Sequence, residues 1–418
     1  MSIINYYRLL PVILVVSSFG LYLGLGLRIE HIVLYPSALL FLLLALYQRK
    51  RLIKINFIIF LIWLSIVLIT IIVTIGLYNE EVNFMNILSD AESIIQPLAL
   101  MILFMFMKNN FKVKDAINQL EKVSITLICL LGLNTLFIIA SIFFDTTSIG
   151  IFFWGGEDSV AARAITNGRY SGIFNQPLEA GIMYSIGLIT WVYYNEKVTK
   201  GSIVNILLLV CLIIGGLMTV SKVFIFGGIP LFIISIINKR NLKLIMLLTF
   251  WFLVFGVLIN KYIFSKWNGL DYLLRFQNSD QDLISLITAG RYGGGNAQQS
   301  TYFNYIWESS PIYGHGLGVT AIYDSGFYYF FSTGGLINLS LYISVLFILL
   351  FLSFKFATLK KYKTESKMFL FLVVLILGAN FGGPILTLNR VTIVLWLILG
   401  ILLQIYYHSN KNLIKLED

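Results

Sequence analysis

Apolar runs of membrane-crossing length follow one another along almost the whole chain, divided by short polar breaks. One helical crossing needs about 20 apolar residues, and a run of that length without alternation reads as a transmembrane helix. The pattern predicts an all-α, polytopic integral membrane protein with about twelve transmembrane helices. They fall at about 9–27, 32–47, 55–77, 94–107, 124–144, 178–194, 202–220, 223–237, 244–260, 326–354, 368–386 and 391–407. Residues 108–122, which carry Lys108, Lys112, Lys114 and Lys122, read as an amphipathic stretch at the interface. Gln96-Pro97 is expected to begin the fourth helix. No soluble region is left over, so 1–418 reads as a single polytopic membrane domain. Its two long polar loops are 145–177 and 261–325, the larger between helices 9 and 10.

Composition agrees with the pattern. Only 12% of the residues are charged, against about 25% in a soluble domain, and mean hydropathy is +0.86. Cys129 and Cys211 lie inside apolar runs, which leaves no disulfide framework or zinc site. The first run has one early basic residue, Arg8, and no small-residue cleavage pattern, so it reads as a retained helix. The two halves do not mirror each other in loop length, unlike many secondary transporters.

Charge orients the chain. When loops are assigned alternately to two faces, about 21 of the 30 lysines and arginines fall on the face that holds both termini. Basic loops stay in the cytoplasm, so both termini are expected there. The same excess explains the net charge of +10 without nucleic acid. The opposite face carries Arg28, Arg163, Arg169, Lys222, Lys261, Lys266, Arg275, Arg291 and Arg390, among loops that are net acidic. Lysine would serve topology equally well. Arginine is the better choice where a planar fork must hold phosphate oxygens.

Two outer segments place arginine beside glycine and tyrosine. The first runs from Arg163 through Arg169-Tyr170-Ser171-Gly172-Ile173-Phe174-Asn175-Gln176-Pro177, with Glu179 just beyond. The second contains Gly290-Arg291-Tyr292, Glu308, Ser310-Pro311-Ile312-Tyr313-Gly314-His315-Gly316-Leu317-Gly318 and Asp324-Ser325-Gly326-Phe327. Arg163, Arg169, Lys222, Arg275 and Arg291 are the candidate phosphate ligands. Tyr170, Asn175, Tyr292 and Tyr313 offer aromatic faces and polar groups to sugar rings. Asp324, His315 and Glu308 are the candidate bases. Plainer roles stand beside these. They are an interfacial belt for the aromatics, snorkelling for Lys222, a solvated ring for His315, an N-cap for Asp324 and an interface anchor for Arg390. Gly293–Gly295 has no P-loop context, and no outer cluster of acids or histidines implies a metal or any other cofactor.

In order and spacing, four patterns resemble the bacterial O-antigen polymerase and O-antigen ligase superfamily of polytopic glycosyltransferases. They are Arg169–Pro177, Ser221-Lys222 (an arginine is more usual), Gly290-Arg291 with Ser310–Gly318, and Asp324–Tyr328 with Gly334-Gly335. The resemblance covers about 163–350. It implies a glycan donor and an acceptor on undecaprenyl pyrophosphate, joined at the extracytoplasmic face of the bacterial inner membrane to build O-antigen, capsule or another exopolysaccharide. A chain-length regulator is an implied partner. Ligases usually carry histidine where this chain has Asp324, which favours the polymerase branch. A ligase and a lipid-linked oligosaccharide flippase are the alternatives.

Overall fold

The computed structural model describes residues 3–24, 27–48, 54–76, 84–106, 113–157, 159–197, 202–236, 298–318 and 325–417. Among them the chain is helical save for one small hairpin, in which β1 (Tyr22–Gly24) pairs antiparallel with β2 (Leu27–Arg28). Five helices are long and apolar enough to cross a membrane. The chain divides into two compact units, one made of Met1–Thr126 and Gly290–Asp418, the other of Leu127–Ala289.

The first unit holds α1 (Ile3–Ser17), the hairpin, α2 (Ile29–Gln48), α3 (Lys54–Gly76) and α4 (Phe84–Phe106). The start of α5 (Val113–Phe143) also belongs to it. Helix 5 begins eleven residues before its expected start, absorbing the stretch read as interfacial. No glycine or proline lies between Val113 and Ser124 to stop it. Helix α4 likewise starts ten residues early. Ile87, Ala91, Ile94, Ile95 and Leu98 keep the helical period, while Asp90 and Glu92 disguise it as a loop. Pro97 therefore lies inside the helix rather than at its start. Near it the Trp63 indole donates to the Ile94 carbonyl at 2.9 Å.

The remainder of this unit is α11 (Gln298–Ser309), α12 (Gly326–Ala357), α13 (Lys363–Ala379) and α14 (Asn389–Glu417). Helices are numbered in chain order, α6 to α10 belonging to the second unit. Helix α14 is the axis around which the first unit packs, with 89% of its apolar window buried against 39% for the other four membrane-length helices. It touches α1, α4 and α13. Trp63 joins the walls to the axis, its ring edge-on to Phe330 at 5.7 Å and to Trp396 at 5.7 Å.

Helix α12 is not continuous. Gly334 and Gly335 have non-helical backbone, and Gly335 is left-handed with φ 61°. At 1.5 Å per residue its 32 residues would span about 48 Å, well over a bilayer core of about 30 Å. The segment after the break, 336–357, is about 33 Å long, which is one crossing.

The second unit contains the rest of α5, then α6 (Thr147–Trp154), α7 (Val160–Ile165), α8 (Pro177–Lys197), α9 (Ile203–Met218) and α10 (Ile229–Ile236). A π-helical turn, Phe224–Gly228, leads into α10. Pro230 has no N–H for the carbonyl four residues back, and the turn before it is widened. Helix α8 is buried over most of its length. The expected helix at 244–260 lies outside the described residues.

Candidate functional site

In the second unit, the arginine loop is built by the framework around it. Pro177 opens α8, where its missing N–H costs nothing, and Glu179 in the first turn accepts the Asn175 amide at 3.1 Å. Asn134, buried inside the apolar α5, accepts the Ile173 amide at 2.8 Å and donates to the Tyr184 hydroxyl at 3.0 Å. Trp154 donates to the Gly172 carbonyl at 2.7 Å. Gly172 has φ 65° with the Asn134 amide against its Cα, so a side chain there would be strained and would collide.

This frame carries Arg169 and Tyr170 to the end of α9. The Tyr170 amide donates to the Met218 carbonyl at 3.0 Å, four residues before Lys222. The Thr219–Lys222 turn is itself unusual. Val220 takes a left-handed φ of 47°, costly for a β-branched residue, and such strain gathers at functional sites. The main chains that bear Arg169 and Lys222 are thus joined. Both side chains are half-buried, and each has a bonding partner. Arg163, in the last turn of α7, is exposed. Burial pushes the Tyr170 phenol pKa up.

In the first unit, the stretch 310–318 docks against the break in α12. The His315 amide donates to the Ser332 carbonyl at 2.7 Å, and the Leu336 amide to the Pro311 carbonyl at 2.9 Å. The two helix ends therefore find their hydrogen-bond partners in the loop. Gly314 (φ 69°) lies against the amides of Gly334 and Gly335, with no room for a Cβ. On its far side the loop is held by α3 and α4. Thr74 Oγ1 accepts the Leu317 amide at 2.9 Å and Asp90 the Gly318 amide at 2.9 Å.

His315 stacks on Tyr305, ring centroids 5.1 Å apart, and its Nε2 lies 2.8 Å from Ser309 Oγ. Ser309 donates its single proton to the Tyr305 carbonyl, which makes His315 Nε2 the donor and leaves Nδ1 with the lone pair. Desolvation lowers the His315 pKa, so the ring is neutral at neutral pH. Glu308 and Tyr313 are exposed. Arg275, Arg291, Tyr292 and Asp324 lie outside the described residues, as does most of 261–325. The N-cap position of α12 belongs to Ser325.

The first unit also holds a buried ionic cluster that sequence reasoning missed. Arg28 Nε lies 3.2 Å from Glu30, and Arg28 Nη2 3.7 Å from Glu92. His31 Nε2 lies 2.9 Å from Glu92, which also accepts the Tyr35 hydroxyl at 3.0 Å. Arg390, placed by sequence as an interface anchor, is instead 1% exposed. It donates to the Gly20 carbonyl at 2.9 Å and stands 3.9 Å from Glu30. Both guanidinium groups face the Tyr22 ring, at 5.7 and 5.8 Å. Two arginines and two carboxylates cancel. The Arg28 amide donates to His31 Nδ1, and His31 Nε2 lies between the Arg28 guanidinium at 3.2 Å and Glu92 at 2.9 Å. The run Arg28-Ile29-Glu30-His31 at a helix start was the available signal. Its partners, Glu92 and Arg390, are distant in the chain.

No family model and no curated protein matches the chain.

Proposed function

We propose that the protein is a polytopic membrane glycosyltransferase, with about twelve helices and both termini cytoplasmic. It polymerises a surface polysaccharide at the extracytoplasmic face. The growing glycan leaves undecaprenyl pyrophosphate and joins a lipid-linked repeat unit. The observation that carries this reading is the Tyr170–Met218 main-chain bond, which sets the Arg169 loop beside the Lys222 turn. Two half-buried cations, Arg169 on the loop and Lys222 on the strained turn bonded to it, suit a pyrophosphate.

The chemistry follows from the leaving group. An acceptor hydroxyl oxygen bonds to the anomeric carbon as the bond to pyrophosphate breaks and its electron pair leaves with the phosphate. No acid is needed for so good a leaving group. Arg169, Lys222 and Arg291 stabilise the charge as it grows, helped by Arg163 and Arg275. The hydroxyl proton goes to a base. Asp324 is the first candidate and the neutral Nδ1 of His315 the second, with Glu308 third. Tyr170, Asn175, Tyr292 and Tyr313 hold the sugars.

A flippase is the second reading, because a discontinuous helix such as α12 is a common transporter device. Here the break is filled by the chain's own loop rather than left open, which favours the enzyme. Deletion of the gene separates the readings by gel analysis of the surface glycan. A polymerase loss leaves a single repeat unit attached, a ligase loss leaves none, and a flippase loss strands the unit inside. Within the enzyme, Arg169→Ala and Arg291→Ala are each expected to cut polymer formation by about 10²–10³. Arg291→Lys should already be damaging, since lysine lacks the fork. Normal polymer in both alanine variants at normal protein levels would sink the assignment.

A further inference from the structure

We infer that α11 and the turn that follows it form an aromatic shelf seated in the headgroup layer of the membrane, with outer-leaflet phospholipid as its partner. The choice of leaflet rests on the topology proposed above; the contact with lipid does not.

The first argument is one of level. The crossing part of α12 starts after Gly335. The docked loop meets that point through the Pro311 carbonyl, and meets Thr74, two residues before the end of α3. Helix α3 has 23 residues, about 35 Å, so it too makes one crossing. Two spans therefore end together at the docked loop, and the loop marks the boundary of the hydrocarbon. Helix α11 sits just beyond it. Phe303 packs on Phe331 at 5.3 Å and edge-on to Tyr328 at 6.0 Å, both in the part of α12 that precedes the break.

The second argument is chemical. Tyr305, Trp307 and Ile312 are 50–56% exposed, three large side chains within eight residues. Glu308 is the one charged residue in α11. Tryptophan and tyrosine have an apolar body and one polar atom, the combination enriched between lipid tails and water. Isoleucine at 312 adds a purely apolar contact, which a sugar-binding platform does not need.

The third argument is continuity. The bare face of α12 carries Leu336, Phe347, Phe351 and Phe354, all exposed and spaced as one helical stripe. Its upper end, Leu336, is bonded through its amide to Pro311, the neighbour of Ile312. The exposed stripe of a membrane span, with Ser340 and Ser344 between Leu336 and Phe347, thus leads up to the shelf.

The test uses the full chain in vesicles of phosphatidylethanolamine and phosphatidylglycerol. Trp307→Cys and Glu308→Cys are each made in a Cys129→Ser, Cys211→Ser background and spin-labelled. The label at 307 should collide with oxygen in preference to a water-soluble nickel chelate. The label at 308 should show the reverse. Equal, water-like accessibility at both positions would overturn the proposal. So would protection of the 307 label only when a glycan is added, which would make the shelf a sugar platform. Should the cysteine variants fold poorly, the unlabelled protein serves. Tryptophan quenching by lipids brominated high on the acyl chain is compared between the parent and Trp307→Phe. The parent should show a lipid-quenched component that Trp307→Phe lacks, and identical quenching in the two would refute the shelf.

Discussion

Single residues in this protein do their work through partners far away in the chain. Glu30 is fully buried, and its carboxylate is balanced by Arg28 and Arg390. Removing one member of such a set leaves a buried charge uncompensated, at a cost of about 3–5 kcal/mol. Arg390→Ala and Glu30→Ala are therefore expected to lower the unfolding temperature of the detergent-solubilised protein markedly. Thermal unfolding followed by tryptophan fluorescence reads this out, and an unchanged midpoint in both variants would show the cluster to be dispensable. Arg28, Glu30 and Arg390 were visible in the sequence as charges at helix ends. Their joint burial was not, because periodicity reports which face of a helix is apolar, not which distant residue that face meets. Asn134 was equally hidden, as a polar residue inside an apolar run. The Arg169–Pro177 stretch was legible as a unit, since its glycine, proline and arginine act within a few residues of one another.

Elements show the same division. Where a helix is apolar throughout, as in α3, the expected ends fall within a residue of those observed. Where charge enters the helix, as in α4 and α5, hydrophobicity alone placed the start about ten residues late. The glycine pair in α12 was readable as a motif, but its role as the seat of the 310–318 loop depends on a tertiary contact. That contact should respond to pH through His315. Burial lowers its pKa in the docked loop below the free value of about 6.5. The undocked loop then binds the proton more readily, so docking is complete above about pH 6.5 and weakens as pH falls through that value. Amide exchange at Leu317 and Gly318, corrected for its intrinsic pH dependence, should rise from pH 7.5 to pH 5.5. His315→Phe should flatten the response while keeping the stack on Tyr305. A pH response that survives in His315→Phe would assign it to another group.

At the scale of the whole molecule, the charge distribution makes a claim about sidedness. About 21 of the 30 basic residues lie in loops on the side expected to face the cytoplasm. Glu157→Cys, on the exposed turn after α6, should be labelled in intact cells by an impermeant thiol reagent. Lys361→Cys, between α12 and α13, should be labelled only after lysis. The opposite result at either position would invert the topology and move the arginine loops to the wrong side for a lipid-linked glycan.

The buried axis of the first unit also bears on how the protein is made. Helix α14 is the most enclosed of the membrane-length helices, yet it leaves the ribosome after all the helices that enclose it. Residues 127–289, which form the other unit, are synthesised in between. At about 5–20 residues per second, roughly 14–57 s separate completion of α4 from the arrival of α14. During that interval the inner surfaces of α1 and α4 are without the helix they are shaped to hold, and Glu30 is without Arg390. A cell making this protein must shelter a half-built bundle for tens of seconds. The rate of translation and the supply of insertion factors thereby become determinants of yield.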